Sequence, residues 1–325
     1  MSAKLKVRKI HAKLRGGKSV TLPMWRLETG REGPCFVLVA AQHGNEVQGV
    51  EAIRRFIELA RPKLKRGSVL AVPFANLPAV RDRRPHMHMK AEQAYSDAKG
   101  HNLNHHWHGD TSDNDSKRLA TAIRRAVDDE GTHVLDIHCW PHQRAAALLI
   151  PGSDAMRALA RDIGPLLVRV REPKPGLLAG HFCATGRMGV TYECSGQYMV
   201  DETEVKRCLR VTVNMAKHIG LLPGRPTGAR RQIYFSDRVE TTQVKAPRGG
   251  LFIESGLKPA EMVKKGQSLG HIISDRDLNR YEIKAPCGGF LTGYGAFRKG
   301  TDVGLPGRHP YVERGDQLAE IARHT

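Results

Sequence analysis

An unbroken apolar run, Cys35-Phe36-Val37-Leu38-Val39-Ala40-Ala41, is followed by apolar residues that return every three or four positions, at Val47, Val50, Ile53, Phe56 and Ile57. The first pattern is that of a buried strand and the second that of an amphipathic helix. A strand feeding a helix through a tight glycine turn places the turn at the carboxyl edge of a sheet, where open α/β folds hold their ligands. The turn here reads His43-Gly44-Asn45-Glu46. An imidazole and a carboxylate at that spacing can address a single ion, and zinc is the candidate. The spacing is weak by itself, because Glu46 could equally sit in water on the first helical turn, where the helix dipole favours it. A third ligand and a base on neighbouring strand ends are needed to decide.

The same alternation continues along the chain. A strand pair around Gly16-Gly17 occupies residues 1–30, then strand 35–41, helix 46–60 and strand Ser68–Ala75. Residues 76–116 read as a long loop rich in histidine, arginine and proline, a length that in a compact domain normally signals function or disorder. Helix 116–129, strand Thr132–Cys139, strand Ala145–Ile150, helix 153–162, strand Leu166–Val170, strand Gly189–Cys194 and a helix over about 201–220 follow. Such alternation predicts an α/β fold, a mixed, largely parallel sheet with helices on both faces.

The pattern then changes. VKAPRGGLF (244–252) returns as IKAPCGGFL (283–291), and VKKGQSLGHI (263–272) returns as VERGDQLAEI (312–321). A duplicated strand–turn unit with glycine at the turns predicts an all-β barrel-sandwich of two similar halves. The expected domains are 1–222 (catalytic α/β), 223–231 (a Pro/Gly-rich linker) and 232–325 (β). The last resembles biotinyl/lipoyl carrier domains, but the hairpin that would carry the cofactor lysine reads SDRDLNRYEIK, so no attached cofactor is expected.

Composition narrows the function classes. No segment reaches the roughly eighteen continuous apolar residues of a membrane span, and the charged N-terminus lacks a signal-peptide core. The six cysteines contain no C-x-x-C pair, as expected of a reduced, cytoplasmic protein. The net charge of +19 comes from dispersed residues with only 6% aromatics, which reads as a solvated basic surface and not as a nucleic-acid site.

His138 closes the apolar strand Val134-Leu135-Asp136-Ile137-His138 and completes, with His43 and Glu46, the open three-ligand set of a catalytic zinc. Asp136 lies two residues earlier on the same face, able to orient a ring. Glu193, within Thr191-Tyr192-Glu193-Cys194, is a carboxylate in an apolar strand and the candidate general base.

The order His-x-x-Glu, an Asn-Leu-Asn element, Asp-Ile-His and a strand-borne Glu resembles the succinylglutamate desuccinylase/aspartoacylase family, of the zinc carboxypeptidase-like fold. The resemblance covers nearly the whole chain, since that family also carries a carboxy-terminal β domain. It implies one Zn2+ per chain on His43, Glu46 and His138, with Glu193 as general base. It implies hydrolysis of a small N-acyl amino acid or related amide by metal-activated water. The family's Asp-Leu-Asn-Arg, which grips a substrate carboxylate, falls on Asn102-Leu103-Asn104-His105. Asn104 is kept, while His105 is shorter than arginine and lacks its bidentate fork. An upstream arginine that polarises the scissile carbonyl falls among Arg81, Arg83 and Arg84, Arg84 being the first choice. Asp277-Leu278-Asn279-Arg280 spells the missing motif at the wrong place in the order and reads as coincidence. The other loop histidines, His86, His88, His101, His106 and His108, read as hydrogen-bonding groups or adventitious metal ligands.

Two other readings fit the residues: a zinc carboxypeptidase-type peptidase on short peptides, and a non-catalytic zinc-containing protein that binds an anionic partner. The expected partner of an enzyme is a small-molecule substrate, with homo-oligomerisation open.

Overall fold

The structure is a computed structural model, and it describes residues 2–89, 101–109, 113–229, 231–236, 239–297 and 309–323. In chain order the first part contains β1 (Lys4–Lys13), β2 (Ser19–Glu28), β3 (Cys35–Ala40), α1 (Gln48–Ala60), β4 (Ser68–Val72), α2 (Leu77–Asp82) and α3 (Asp115–Val127). It continues through β5 (His133–Trp140), β6 (Ala147–Ile150), α4 (Asp154–Ile163), β7 (Leu167–Val170), α5 (Leu178–Ala184), β8 (Met188–Ser195), α6 (Glu202–His218) and β9 (Ile233–Ser236).

The nine strands form one mixed sheet in the order β1-β2-β4-β3-β5-β8-β6-β7-β9. Its middle is parallel, β4 and β5 flanking β3, while β1/β2, β2/β4 and β6/β8 are antiparallel. Every residue of β3 is buried, as its continuous apolar run requires. Phe36, Leu38 and Ala40 face a core that includes residues of α1, α4 and α6. Cys35, Val37 and Val39 face the opposite core with residues of α3 and α5. Covering both faces is what lets a strand dispense with polar alternation.

Two expectations change here. The stretch 76–116 is not continuous loop: its first residues form α2, started by Asn76, whose side chain caps Ala79 N–H, with Pro78 in the first turn. A short 3-10 turn covers Leu103–His105. Helix α5 was not expected, because Leu178–Ala184 is too short to display a period. It is held as a helix by burial of Leu178 and Phe182.

The chain divides into two compact units, the boundary falling within β9 between residues 234 and 235, and residues 140–145 belong to the second. The second unit contains β10 (Thr241–Lys245), β11 (Gly250–Glu254), β12 (Met262–Val263), β13 (Ser268–Ser274), β14 (Arg280–Lys284), β15 (Gly289–Phe297), β16 (Tyr311–Val312) and β17 (Gln317–Ala322). They form two four-stranded sheets, β10-β17-β15-β12 and β14-β13-β11-β16. Both contribute to one core, in which Phe252, Ile272 and Ile283 of one sheet join Leu291, Leu318 and Ile321 of the other. The sequence repeat is a structural one. Gly250 and Gly289 open β11 and β15 with φ of 144° and 157°. A Cβ on either would lie 2.2 Å from the Ile273 carbonyl oxygen or 2.3 Å from that of Ala322. The Asp277–Arg280 tetrapeptide is a hairpin turn, Asp277 accepting Asn279 N–H at 3.0 Å and the Tyr281 hydroxyl at 2.7 Å.

All six cysteines are free thiols. Among the described residues no helix is long and apolar enough to cross a membrane.

Candidate metal centre

The chain leaves β3 through Ala41, whose φ of 52° is unusual for a residue with a side chain. The turn is pinned from α2: Asn76 N–H donates to the Ala41 carbonyl at 2.9 Å, and its side-chain amide donates to the Gln42 carbonyl at 3.0 Å. Gly44 must be glycine. Its N–H donates to the Pro85 carbonyl at 3.1 Å, and a Cβ there would fall 2.2 Å from Ala79 C and 2.4 Å from the Arg84 carbonyl oxygen. This close approach of two backbones turns His43 and Glu46 inward.

Glu46 precedes α1 and is buried, so it is not a solvated residue of the first helical turn. Its Oε1 lies 2.9 Å from His43 Nδ1 and its Oε2 lies 2.8 Å from His138 Nδ1. The rings of His43 and His138 are 5.1 Å apart. The carboxylate also accepts the Cys139 N–H at 3.0 Å and the Gln197 side-chain amide at 3.1 Å. Burial pushes the Glu46 carboxyl up, but the two imidazoles outweigh it and hold it below its usual range. Burial likewise lowers His138, and Asp136 and Glu46 together outweigh it, raising the imidazole well above its ordinary value.

The far side of each ring is also occupied. His43 Nε2 lies 2.9 Å from Asn102 Oδ1, and His138 Nε2 lies 3.1 Å from Asp136 Oδ1. An imidazole that donates through Nε2 leaves its Nδ1 lone pair for a metal, the usual way an outer acceptor sets the tautomer of a ligand histidine. The candidate ligand atoms of His43, Glu46 and His138 lie within 4.8 Å of one another. Ligand bonds of about 2.0–2.2 Å span such a group with small side-chain adjustment, and two nitrogens with one carboxylate oxygen suit zinc. The residues therefore fit a single divalent cation.

Glu193 stands on β8, which lies beside β5 in the sheet. Met188 N–H, at the start of β8, donates to the Thr132 carbonyl just before β5. Glu193 and His138 thus both lie toward the far ends of their strands. Glu193 is intermediate in exposure. Burial pushes its carboxyl up to about 7; the charge of His138 opposes the rise and that of Glu46 adds to it.

The residues expected to contact substrate lie in different surroundings. Asn104 is buried, its Oδ1 accepting Leu178 N–H at 3.2 Å and its Nδ2 lying 3.1 Å from His138 Nε2. His105 is exposed, with Nε2 at 3.4 Å from the Asn102 amide. Arg81 and Arg83 are exposed and Arg84 is half-buried. His86 packs against His43 with ring centres 5.3 Å apart. His88 pairs with Asp115 at 2.9 Å.

Sequence reasoning missed Gln42, Trp107 and Gln197, and gave Asn102 no role at the metal. Gln42 is fully buried, and a glutamine closing an apolar strand was the available signal. Trp107 and Gln197 offered none, because what they touch is distant in the chain.

Residues 32–219, more than half of the 325, match the family model described as the succinylglutamate desuccinylase/aspartoacylase catalytic domain. The chain belongs to this family. Solved structures of the succinylglutamate desuccinylase/aspartoacylase type share its fold over the full length. One from Rhodobacter sphaeroides has a TM-score of 0.75 at 21% identity, covering 100% of this chain and 96% of that one. The product-bound ectoine utilization protein EutE (DoeB) from Ruegeria pomeroyi has a TM-score of 0.74 at 18% identity, covering 99% and 96%. A curated relative, the N-alpha-acetyl-L-2,4-diaminobutyric acid deacetylase of Halomonas elongata, is 28% identical over 120 residues, 37% of this chain. That match spans 32%, about a third, of the relative's length. The matched region of the family model contains His43, Glu46, His138 and Glu193.

Proposed function

We propose that this chain is a zinc-dependent hydrolase that cleaves the amide bond of a small N-acyl amino acid or a related amide. The observation that carries the reading is the convergence of two Nδ1 atoms on the two oxygens of one buried carboxylate, beside a strand bearing Glu193. Membership of a family named for acyl-amide-cleaving enzymes supports it, as does the deacetylase named among its relatives.

His43, Glu46 and His138 would hold the cation. When bound, it would supply Lewis acidity, lowering the pKa of a water and polarising the acyl oxygen. The chain's own residues do the rest. Glu193 takes a proton from water and delivers it to the departing nitrogen, a role suited to a carboxyl whose pKa is raised toward neutrality. One of Arg81, Arg83 and Arg84, with Arg84 preferred, stabilises the charge that develops on the acyl oxygen. Asn104 turns its amide inward to His138 and Leu178, so polar contact with substrate in this segment falls to His105. A neutral or singly hydrogen-bonded group suits that position better than a clamped free carboxylate. The carboxy-terminal unit serves structurally, as a barrel-sandwich without an attached cofactor.

The test is a panel of N-acyl amino acids assayed with zinc, with chelator, and after zinc is restored. Turnover should vanish on chelation and return with zinc. Glu193→Gln should retain the metal and lose turnover. Cleavage of short peptides with no cleavage of N-acyl amino acids would replace this reading by the peptidase one. Full retention of partner binding in Glu193→Gln, with no hydrolysis by wild type, would replace it by a non-catalytic one.

A further inference from the structure

The proposed metal site leaves open what fixes the ring of His138. Asp136 faces its Nε2, but that carboxylate is completely buried and its Oδ2 has no hydrogen-bond partner among the described residues. Its orientation therefore depends on what Oδ1 meets. Oδ1 accepts the Gln42 side-chain amide at 2.6 Å and lies 3.1 Å from His138 Nε2.

An amide can be turned either way, so which end of Gln42 faces Asp136 needs a reason. Trp107 provides it. The indole N–H can only donate, and it reaches Gln42 Oε1 at 2.7 Å. The oxygen of Gln42 is thereby committed to Trp107 and its NH2 group must face Asp136. Gln42 and Trp107 are both fully buried, so water competes with neither contact. The same logic orients Asn104: Leu178 N–H can only donate to its Oδ1, which leaves the Asn104 NH2 toward His138 Nε2. The Asn104 NH2, and the Gln42 NH2 at a longer 3.3 Å from the same nitrogen, favour the ring form with Nε2 as acceptor, whose hydrogen sits on Nδ1 and blocks a metal; the Gln42 NH2 is held more closely by Asp136, at 2.6 Å. A fixed Asp136 carboxylate favours the opposite form, Nε2–H donating and Nδ1 open.

We propose that Gln42, clamped by Trp107, is a positioning residue that holds Asp136 against His138 and so presents His138 Nδ1 to the metal. The inference rests on the reading that His43, Glu46 and His138 hold a divalent cation. It assigns a role to the segment Asn102–Trp107 beyond substrate contact: Asn102 reaches His43, Asn104 reaches His138, and Trp107 reaches it through Gln42 and Asp136. Orientation of both imidazoles thus depends on one short stretch of chain.

The experiment uses the full chain, stripped of metal and titrated with zinc against a chromophoric chelator. Cobalt(II) absorption of the same samples serves as a probe of ligand geometry. Gln42→Met, of similar volume without the amide, should weaken zinc affinity by about 10–100-fold and alter the cobalt spectrum. Trp107→Phe, which keeps an aromatic ring but loses the N–H, should change both in the same direction by a smaller factor. The double variant should lose no more than Gln42→Met alone, as expected of two residues acting in one relay. Should Gln42→Met fail to fold, Gln42→Asn withdraws the amide by one methylene and should weaken binding in the same way. Unchanged affinity and an unchanged cobalt spectrum in a folded Gln42 variant would overturn the proposal and leave Gln42 a packing residue. A wild-type chain that binds no zinc at one per chain would overturn the metal reading itself, and this inference with it.

Discussion

At the scale of single residues, Glu193 is the group whose chemistry is most exposed to test. Its carboxyl is pushed up to about 7 from an ordinary 4.5, chiefly by burial. Between those values the folded metal-free protein keeps a proton that the unfolded chain has released. Stability must therefore fall as pH rises through that window. Replacing the acid by glutamine removes the penalty. Metal-free Glu193→Gln should be more stable than wild type above pH 7 by something on the order of 1–3 kcal/mol, and equal to it near pH 4. Thermal melts across pH read this directly. A bound cation favours the carboxylate, so the acid limb of kcat/KM in the zinc enzyme should lie below the inflection seen by titrating the metal-free protein. In the zinc form the same variant should lose about 10²–10⁴-fold in kcat. Asn102→Ala removes the acceptor that sets the His43 ring and should cost zinc affinity roughly 10-fold or more, with little change in the far-UV spectrum.

At the scale of elements, the metal loop is shaped by α2. Gly44 lies so close to the Ala79 and Arg84 backbones that a methyl group cannot be accommodated without moving the helix. Gly44→Ala should abolish stoichiometric zinc binding, checked by metal analysis of the purified protein, where Ala substitution at the exposed turn glycine Gly16 should not. Asn76 both caps α2 and holds the Gln42 carbonyl from a fully buried position. Asn76→Ala should cost about 1–3 kcal/mol, the penalty for stranding a buried carbonyl, measured by denaturant unfolding. These elements also show how much was legible in advance. The run from Cys35 to Ala41 and the period from Val47 to Ile57 announced a strand and a helix, because burial on a face dictates residue type. Helix α2 was hidden because its six residues expose no period and owe their shape to a cap and to Gly44 packed against them.

At the scale of the whole molecule, the net charge of +19 makes weak attraction to polyanions unavoidable. Retention on a polyanionic resin should disappear between about 50 and 200 mM salt, and turnover should not follow it. Zinc should raise the unfolding midpoint, since a ligand at 100 times its Kd adds about 2.7 kcal/mol to the folded state. From the sequence alone came the layered α/β character, the internal repeat of the β unit, and the three side chains able to share an ion. Each of these is written in local terms: hydrophobic period, repeated segments, and chemically distinctive residues in a definite order. Asp136, two residues before His138 on one strand face, could also be read as a ring-orienting group, and it meets Nε2. Only the tertiary structure decided that Asn102 stands behind the His43 imidazole, that Gln197 supports Glu46, and that Trp107 fixes Gln42. Those contacts join residues between 59 and 151 positions apart. An amide or an indole carries no mark of its partner along the chain; direction and distance are assigned to it only when the strands come together.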